Sequence, residues 1–544
     1  MRLFTLLAAL SLSAGSSAQQ PPAQQETAPV FTPEGFRAHV EFLADDLLEG
    51  RDTGTRGYDI AAKYVATQFQ ALGLRPGANG SWYQQVPFII ARQGAQPARL
   101  TIGGRTFTSG QEVLVYPSTV EASQNVEAPV VFAGYGIDMP SHGFDDYRGL
   151  DVRGKIVAVL SGSPLGTQSE MGAHLNAEKA RMAEKRGAIG MVTILTRQAA
   201  TTTPWARRIA GLREPSFAWV GRDGTAFQRA PGIRVAGTLD TPAAEALFAG
   251  ARRPLAAVLE EAAREGGKPK GFALKPSLRF ERQSEIGRTT SPNVIGFIPG
   301  SDPALANEYV LLMAHLDHEG VDPSATGDKI YNGAMDNATG TATLIEVAKA
   351  MMASPDRPRR PILLAAVTAE EKGLLGSEYL ARNPVVAGGK VVGVVNLDMP
   401  VLLYDFQDLI AFGSNHSTLG PIVARAVAQA NVALAPDPMP EQGLFTRSDH
   451  YRFVQAGVPS VFLMTGFGNG GEQVWKDFFA KHYHKPSDQP DLPFNWNAAA
   501  KFARINYLIA REIADAPEAP RWYSDSFFGK AVGGKQPRAT RPRG

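Results

Sequence analysis

YVLLMAHLD (309–317) joins an apolar run directly to a histidine and an aspartate. The apolar run 309–314 has the length of one strand, and it feeds directly into His315 and Asp317. Upstream, 293–298 is a second such run. Downstream, strand and helix patterns alternate. Residues 338–352 place Leu344, Val347, Ala348 and Met351 on one helical face, and 361–367 reads as a buried strand. A short helix follows at 374–381, then another buried strand at 391–397, a helix at 419–430 and a strand at 459–464. Alternation of this kind predicts an α/β fold, a largely parallel mixed sheet flanked by helices.

Open parallel sheets bind ligands outside the carboxyl ends of their strands. His315 and Asp317 follow the first strand, Glu370 and Glu371 the 361–367 strand, and Asp398 the 391–397 strand. Asp336 stands just before the 338–352 helix, and His484 lies in the loop segment YHKPSD (483–488). Taken singly, Glu370-Glu371 reads as a solvated acidic pair and Asp336 as a helix cap. It is their joint order, with most of the segments at strand ends, that predicts a metal centre. Imidazole and carboxylate suit zinc, at about 2 Å. A carboxylate shared by two ions holds them roughly 3.5–4 Å apart. Five ligands with one shared give each ion three protein groups and an open position for water, the mark of a catalytic site. The expected arrangement has Asp336 as the bridge, His315 and Asp398 on one ion, and Glu371 and His484 on the other. Glu370 is placed as general base and then as acid to a leaving amine. Asp317 shares a face with His315 in an extended chain and is expected to accept the proton on its other ring nitrogen. Among the nine histidines, His318 is expected to face away, His482 is the main rival of His484, and Asp449-His450 reads as a loop cap or a pair behind the site.

The remaining sequence bounds the problem. A chain of 544 residues implies two or three domains. Net charge is only +2, which points to neither nucleic acid nor an anionic membrane. There are no cysteines, so disulfides, thiolate zinc sites and cysteine nucleophiles are excluded. No G-x-S-x-G elbow occurs. Arg2, the apolar run 3–12 and the small residues Ser16-Ser17-Ala18 predict a signal peptide over 1–18, hence an exported protein, periplasmic or secreted, without a membrane anchor. Residues 19–30 read as a flexible Pro/Gln-rich leader. Residues 31–76 look helical, with a stop at Gly73 and Pro76. Short strands at 129–134, 155–161 and 189–195, with a helix at 178–186, mark a separate smaller unit, and 260–270 reads as its exit linker. The basic, Gly/Pro-rich tail 529–544 is expected to be disordered.

Six segments carry a resemblance: AHLDHEG (314–320), YNGAMDNATG (331–340), TAEEKGLLGSEY (368–379), NLDMP (396–400), SDHYRFVQAGVPS (448–460) and YHKPSD (483–488). Together they resemble the M28 zinc aminopeptidases, in the form carrying a protease-associated insertion. VFAGYGI (131–137) and DYRGLDVRGKIVAVL (146–160) resemble that insert, and FLADDLLEGRDTGTRG (42–57) is also similar to family members. The resemblance implies a zinc-peptidase, phosphorylase/hydrolase-like fold, divided as 31–115 and 276–515 for the peptidase domain and 116–275 for the insert. It implies two zinc ions, with cobalt or manganese as substitutes, and peptide substrates with a free N-terminus. The ligand set His315, Asp336, Glu371, Asp398 and His484 fits it, as do Glu370 as base and Asp317 as supporting aspartate; the Tyr-His pair favours His484 over His482. One departure is Phe445, where some aminopeptidases of this type carry a tyrosine that helps the oxyanion. Two alternatives stand beside this reading. One is a dipeptidase or glutamate-type carboxypeptidase on the same scaffold, with Arg447 and Arg452 as candidate carboxylate grips. The other is a metal-free, receptor-like homologue. Oligomeric state is not legible in the sequence.

Overall fold

In the computed structural model, which describes residues 30–386 and 388–542, the 309–317 stretch forms the strand Glu308–His315. Its alternate residues serve two cores. Val310, Leu312 and Ala314 face one hydrophobic cluster, and Leu311 and Met313 face another. This is the period-2 alternation of a strand covered on both sides. The helices Thr339–Ala353, Trp496–Asp515 and Pro33–Leu43 supply the first cover. Leu380 and Phe453, from the helices Leu375–Arg382 and His450–Gln455, contribute to the second.

Neighbouring strands fix where a ligand can sit. Ile362–Val367 pairs in parallel with one edge of Glu308–His315, and Lys390–Leu397 with the other. Ser460–Thr465 extends the parallel set past Lys390–Leu397. Antiparallel strands flank it, Phe272–Ile298 beside Ile362–Val367 and Asp408–Phe412 beside Ser460–Thr465. The chain therefore moves to one side of Glu308–His315 for its next parallel strand and to the other side for the one after. A crevice opens at the carboxyl ends where strand order reverses in this way. His315, Glu370-Glu371 and Asp398 all lie at that rim.

The smaller unit is built on its own sheet, in which Ser123–Phe132, Ile156–Leu160, Gly190–Ile194 and Val235–Leu239 run in parallel order. Its limits differ from the expected 116–275. Arg99–Ile102 and Arg105–Thr108 already belong to this sheet. On the exit side no linker spans 260–270: the helix Leu255–Ala262 occupies its start. The 27-residue strand Phe272–Ile298 then pairs first with Ser123–Phe132 and afterwards with Tyr83–Gln93. One strand thus belongs to both sheets, which no composition shift announces.

Two other expectations change. The 31–76 region is two helices, Pro33–Leu43 and Arg56–Ala71, capped by Thr32 and Thr55 and separated by the tight turn Asp46–Arg51. Gly50 in that turn has φ +66°, and a Cβ there would lie 2.5 Å from the Gly320 carbonyl oxygen. Glycine is therefore required for the turn to pack flush beneath the site loop. The tail is not disordered over 529–542. Ser524 and Ala539 are hydrogen-bonded at 2.9 Å, and Arg541 binds Asp525 and the Asn415 carbonyl. Here the basic residues find specific acceptors, which composition does not foresee. The expected signal peptide 1–18 and nearly all of the leader 19–30 lie outside the described residues. No described helix is long and apolar enough to cross a membrane.

Leu312 is wholly buried at the centre of this sheet. Leu312→Ala should destabilise the protein by roughly 2–5 kcal/mol, the range for a leucine truncated in a packed core. Denaturant unfolding followed by circular dichroism checks this.

Candidate metal centre

Asp336 stands at the middle of the rim. Its Oδ1 lies 3.2 Å from His315 Nε2 and its Oδ2 lies 3.2 Å from His484 Nε2. Asp398 Oδ1 lies 3.3 Å from the same His315 nitrogen, and Glu371 Oε2 lies 3.4 Å from the same His484 nitrogen. The structure therefore brings all five expected residues to one rim around Asp336, with Asp398 beside His315 and Glu371 beside His484.

Each of the other four turns one atom inward and ties its second atom to a neighbour. His315 Nδ1 is bonded to the Asp317 carbonyl at 3.1 Å. His484 Nδ1 meets Glu319 Oε1 at 2.8 Å. Glu371 Oε1 meets His318 Nδ1 at 2.8 Å. Asp398 Oδ2 accepts from the Ser448 hydroxyl, which in turn accepts from the Asn396 amide at 2.6 Å. Bonds at the far atom set the tautomer and ring orientation, so the inward atom is the free donor. Asp336 alone keeps both oxygens inward and is held through its backbone. Asp488 accepts from the amides of Met335 and Asp336 at 2.9 and 3.0 Å. Asn337 spans from the Leu397 carbonyl to the Met399 amide at 2.9 and 3.2 Å, joining this turn to the strand that ends beside Asp398.

Three assignments differ from the sequence reading. Asp317 orients His315 through its carbonyl, not its carboxylate. The carboxylate instead accepts from the amides of Glu370 and Glu371 at 3.1 and 3.3 Å and from Thr53 at 3.2 Å, fixing the turn that presents both glutamates. His318 does not face away; it is fully buried and holds Glu371. The Gly320–Val321 hairpin strand after His318 bends the chain, so alternation from His315 does not extend through it. Arg452 reaches the Gly373 carbonyl and Gln455. It does not line the cavity beside the ligands, whereas Arg447 does. His482 bonds Ser487 in an exposed loop and takes no part. His450 is buried beside Phe445 and Phe462 with no partner among the described residues, and burial pulls its pKa down to about 3.

Arg51, Glu319 and Ser448 were not singled out from the sequence. Arg51 is buried and binds the carbonyls of Leu316, Asn332 and Gly333 at 3.0, 2.6 and 3.0 Å. It therefore fastens the His315 and Asp336 loops to the N-terminal turn. The signal available was a charged residue inside the quoted 42–57 segment, which gave no hint of burial.

The site's charge fits a divalent cation. Burial opposes ionisation of His315, yet the pull of Asp398, Glu370 and Asp336 holds its pKa well above the usual value. Burial and the neighbouring Glu371, Asp398 and Asp449 push the Glu370 carboxyl well up, although His315 opposes this. Burial also resists the Glu371 charge, but His484 and His318 keep that carboxylate down to about 2. His315, Asp336 and Glu371 each offer an atom within 4.8 Å of the others, as do Glu319, Glu371 and His484. Nitrogen and carboxylate oxygen are borderline-to-hard donors of the kind zinc takes. Glu370, unlike Glu371, lines the adjoining cavity of about 40 Å³, together with His315, Asp336, Asp398 and Tyr483. Phe445 turns away into an aromatic cluster with His416 and Phe528.

Residues 293–510 match the family model described as Peptidase family M28. This span is an M28 peptidase domain. The curated relatives include Leupeptin-inactivating enzyme 1 of Streptomyces exfoliatus, 30% identical over 186 residues, which cover 32% of this chain and 36% of that protein. A Glutamate carboxypeptidase 2 homolog of Caenorhabditis elegans is 30% identical over 207 residues, 36% of this chain and 24% of that one. The chain thus spans about a third and a quarter of the lengths of these two relatives. Among solved structures, an aminopeptidase from Aneurinibacillus sp. strain AM-1 aligns over 90% of this chain and 95% of its own, at 20% identity and a TM-score of 0.49. All five inward-facing groups belong to the M28 domain, as do His318, Glu319 and Ser448; Arg51 reaches it from outside.

Glu319 sits on the atom of His484 that faces away from the centre. Glu319→Ala should lower zinc affinity on the His484 side by roughly 10–100-fold, the usual cost of losing a ligand's orienting partner. Competition against a chromophoric chelator measures it.

Proposed function

We propose that the chain is an exported metallo-aminopeptidase that releases residues from the free N-terminus of peptides, using two zinc ions. Its ligands are His315 and Asp398 for one ion, Glu371 and His484 for the other, and Asp336 shared. The observation that carries this reading is the division of the Asp336 carboxylate, one oxygen toward each histidine. Bound zinc supplies a lowered pKa for a water and polarises the scissile carbonyl.

The protein's own groups supply the remainder. Glu370 takes the proton from the attacking water and delivers it to the leaving amine. Asp317 keeps Glu370 and Glu371 facing different ways by gripping both amides. The cavity beside Glu370 is small and walled by Met399, Phe462, Met464 and Phe479. These apolar side chains suit an apolar side chain at the substrate's N-terminal residue. The smaller unit is read as a protease-associated insert, from the resemblance of 131–137 and 146–160. Export rests on Arg2 and the apolar run 3–12; N-terminal sequencing of the mature protein should then begin at Gln19.

A dipeptidase or glutamate-type carboxypeptidase is the second reading, favoured by Arg447 on the cavity wall. Zinc-loaded protein should cleave a leucyl-anilide but not its N-acetyl form, and a chelator should abolish the activity. Failure on both anilides at full zinc content would favour the second reading. Glu370→Ala should keep both metals while losing at least about 100-fold in kcat, the general-base contribution; metal loss in that variant would contradict the assignment. Asp336→Ala should lose both ions together by elemental analysis, and loss of one alone would misplace the bridge.

A further inference from the structure

A groove of about 940 Å³ runs past the metal-side cavity. One wall comes from the smaller unit, the loop before the helix Ser169–Ala177 and the helix Arg197–Thr202. The opposite wall is the 440–447 segment of the M28 domain. Arg447 lines both spaces, so they join at its side chain. Three arginines, Arg197, Arg208 and Arg447, face the groove against one carboxylate, Glu441.

These arginines lack ionic partners. Among the described residues none of the three has a carboxylate oxygen within 4.0 Å. Arg208 binds the carbonyls of Thr203 and Ala199, both at 3.0 Å, and Arg447 reaches only the Tyr483 hydroxyl at 3.4 Å. Some arginines elsewhere are paired, such as Arg229 with Glu378, Arg186 with Asp138 and Arg359 with Asp302, so it is the convergence of three unpaired ones on a single groove that sets this place apart. Like charges lining both walls of one groove repel one another and focus a positive field into it. A guanidinium fork matches a carboxylate in geometry as well as charge. The cavity by the metal centre has room for little beyond one small side chain, so the chain beyond the scissile bond has to leave past Arg447.

We infer that this groove binds the leaving side of the peptide and selects a carboxylate there, from either a free C-terminus or an Asp/Glu side chain. This deepens the aminopeptidase reading and rests on it. The substrate class is short acidic peptides with a free N-terminus. The smaller unit is then half of the substrate site, with Arg197 on its wall and Arg447 at the junction.

The test uses the full zinc-loaded protein and four tripeptides: Leu-Gly-Glu and Leu-Gly-Gln, each as free acid and as C-terminal amide. Leu-Gly-Glu acid should exceed Leu-Gly-Gln amide by about tenfold or more in kcat/KM, mostly through KM, as for a charge-assisted pair. The two singly charged peptides separate side chain from C-terminus as the source. Added salt should shrink the preference. Arg197→Gln with Arg447→Gln should flatten it; Arg208 is left in place because it holds the end of the neighbouring helix Arg197–Thr202 through the Ala199 and Thr203 carbonyls. Calorimetric binding of reduced-bond analogues of the same peptides should give the same order without turnover. Equal constants for all four peptides, or a preference that the double variant retains, would overturn the groove assignment. If no free-amine peptide is cleaved, the aminopeptidase reading fails, and analogue binding still decides the groove.

Discussion

Carboxylates packed too tightly to stay unmatched are the constraint on which the rim depends. Asp317, Asp336, Asp398, Asp449 and Asp488 are each at most 8% exposed, and the Glu371 side chain is 7% exposed. Two like charges 4 Å apart cost about 4 kcal/mol even at an effective dielectric of 20. The protein answers this acid by acid. Asp317 and Asp488 spend their oxygens on backbone amides, and Asp398 gives one oxygen to Ser448. Asp449 has no hydrogen-bond partner among the described residues, and burial pushes its carboxyl up to about 7; the inward oxygens around Asp336 are also left without amide or hydroxyl donors, and a divalent cation is the natural counter-charge there.

Holding those oxygens apart from one another requires backbone in unusual conformations. Ala369, Met399 and His484 are non-glycine residues with φ of +56°, +38° and +52°. Each is, or lies within two residues of, one of the inward-facing groups. Such residues cost on the order of 1–3 kcal/mol each and persist where surrounding structure over-determines them. Here the surroundings are the buried sheet on one side and Arg51 on the other. Strand reversal beside Glu308–His315 opens the crevice, and the N-terminal turn closes beneath it.

Much of this was legible in the sequence because it is local. Apolar runs of strand length followed by His, Asp or Glu pointed to the sheet and to His315, Glu371 and Asp398, whereas Asp336 precedes a helix and His484 lies in a loop, where the resemblance of the surrounding motifs was the guide. The alternating pattern also placed the helices at 338–352, 374–381 and 419–430 within a residue of their observed ends, but it missed Trp496–Asp515. Less legible was anything set by long-range contact. Glu319 meets His484 and Arg51 meets Leu316 across more than a hundred residues, and neither pairing leaves a spacing to read. The same holds for the strand shared by both sheets. His318 was misplaced for a related reason: strict alternation was extended past the end of its strand. The basic tail was judged by composition, which is blind to Arg541 finding Asp525.

The shared carboxylate is best tested by anomalous diffraction at the zinc edge from crystals of the zinc-loaded protein. Two peaks roughly 3.5–4 Å apart, one on each side of Asp336, are expected for a bridged pair. A single peak, or a second peak held by Glu319 in place of the shared Asp336 oxygen, would contradict it.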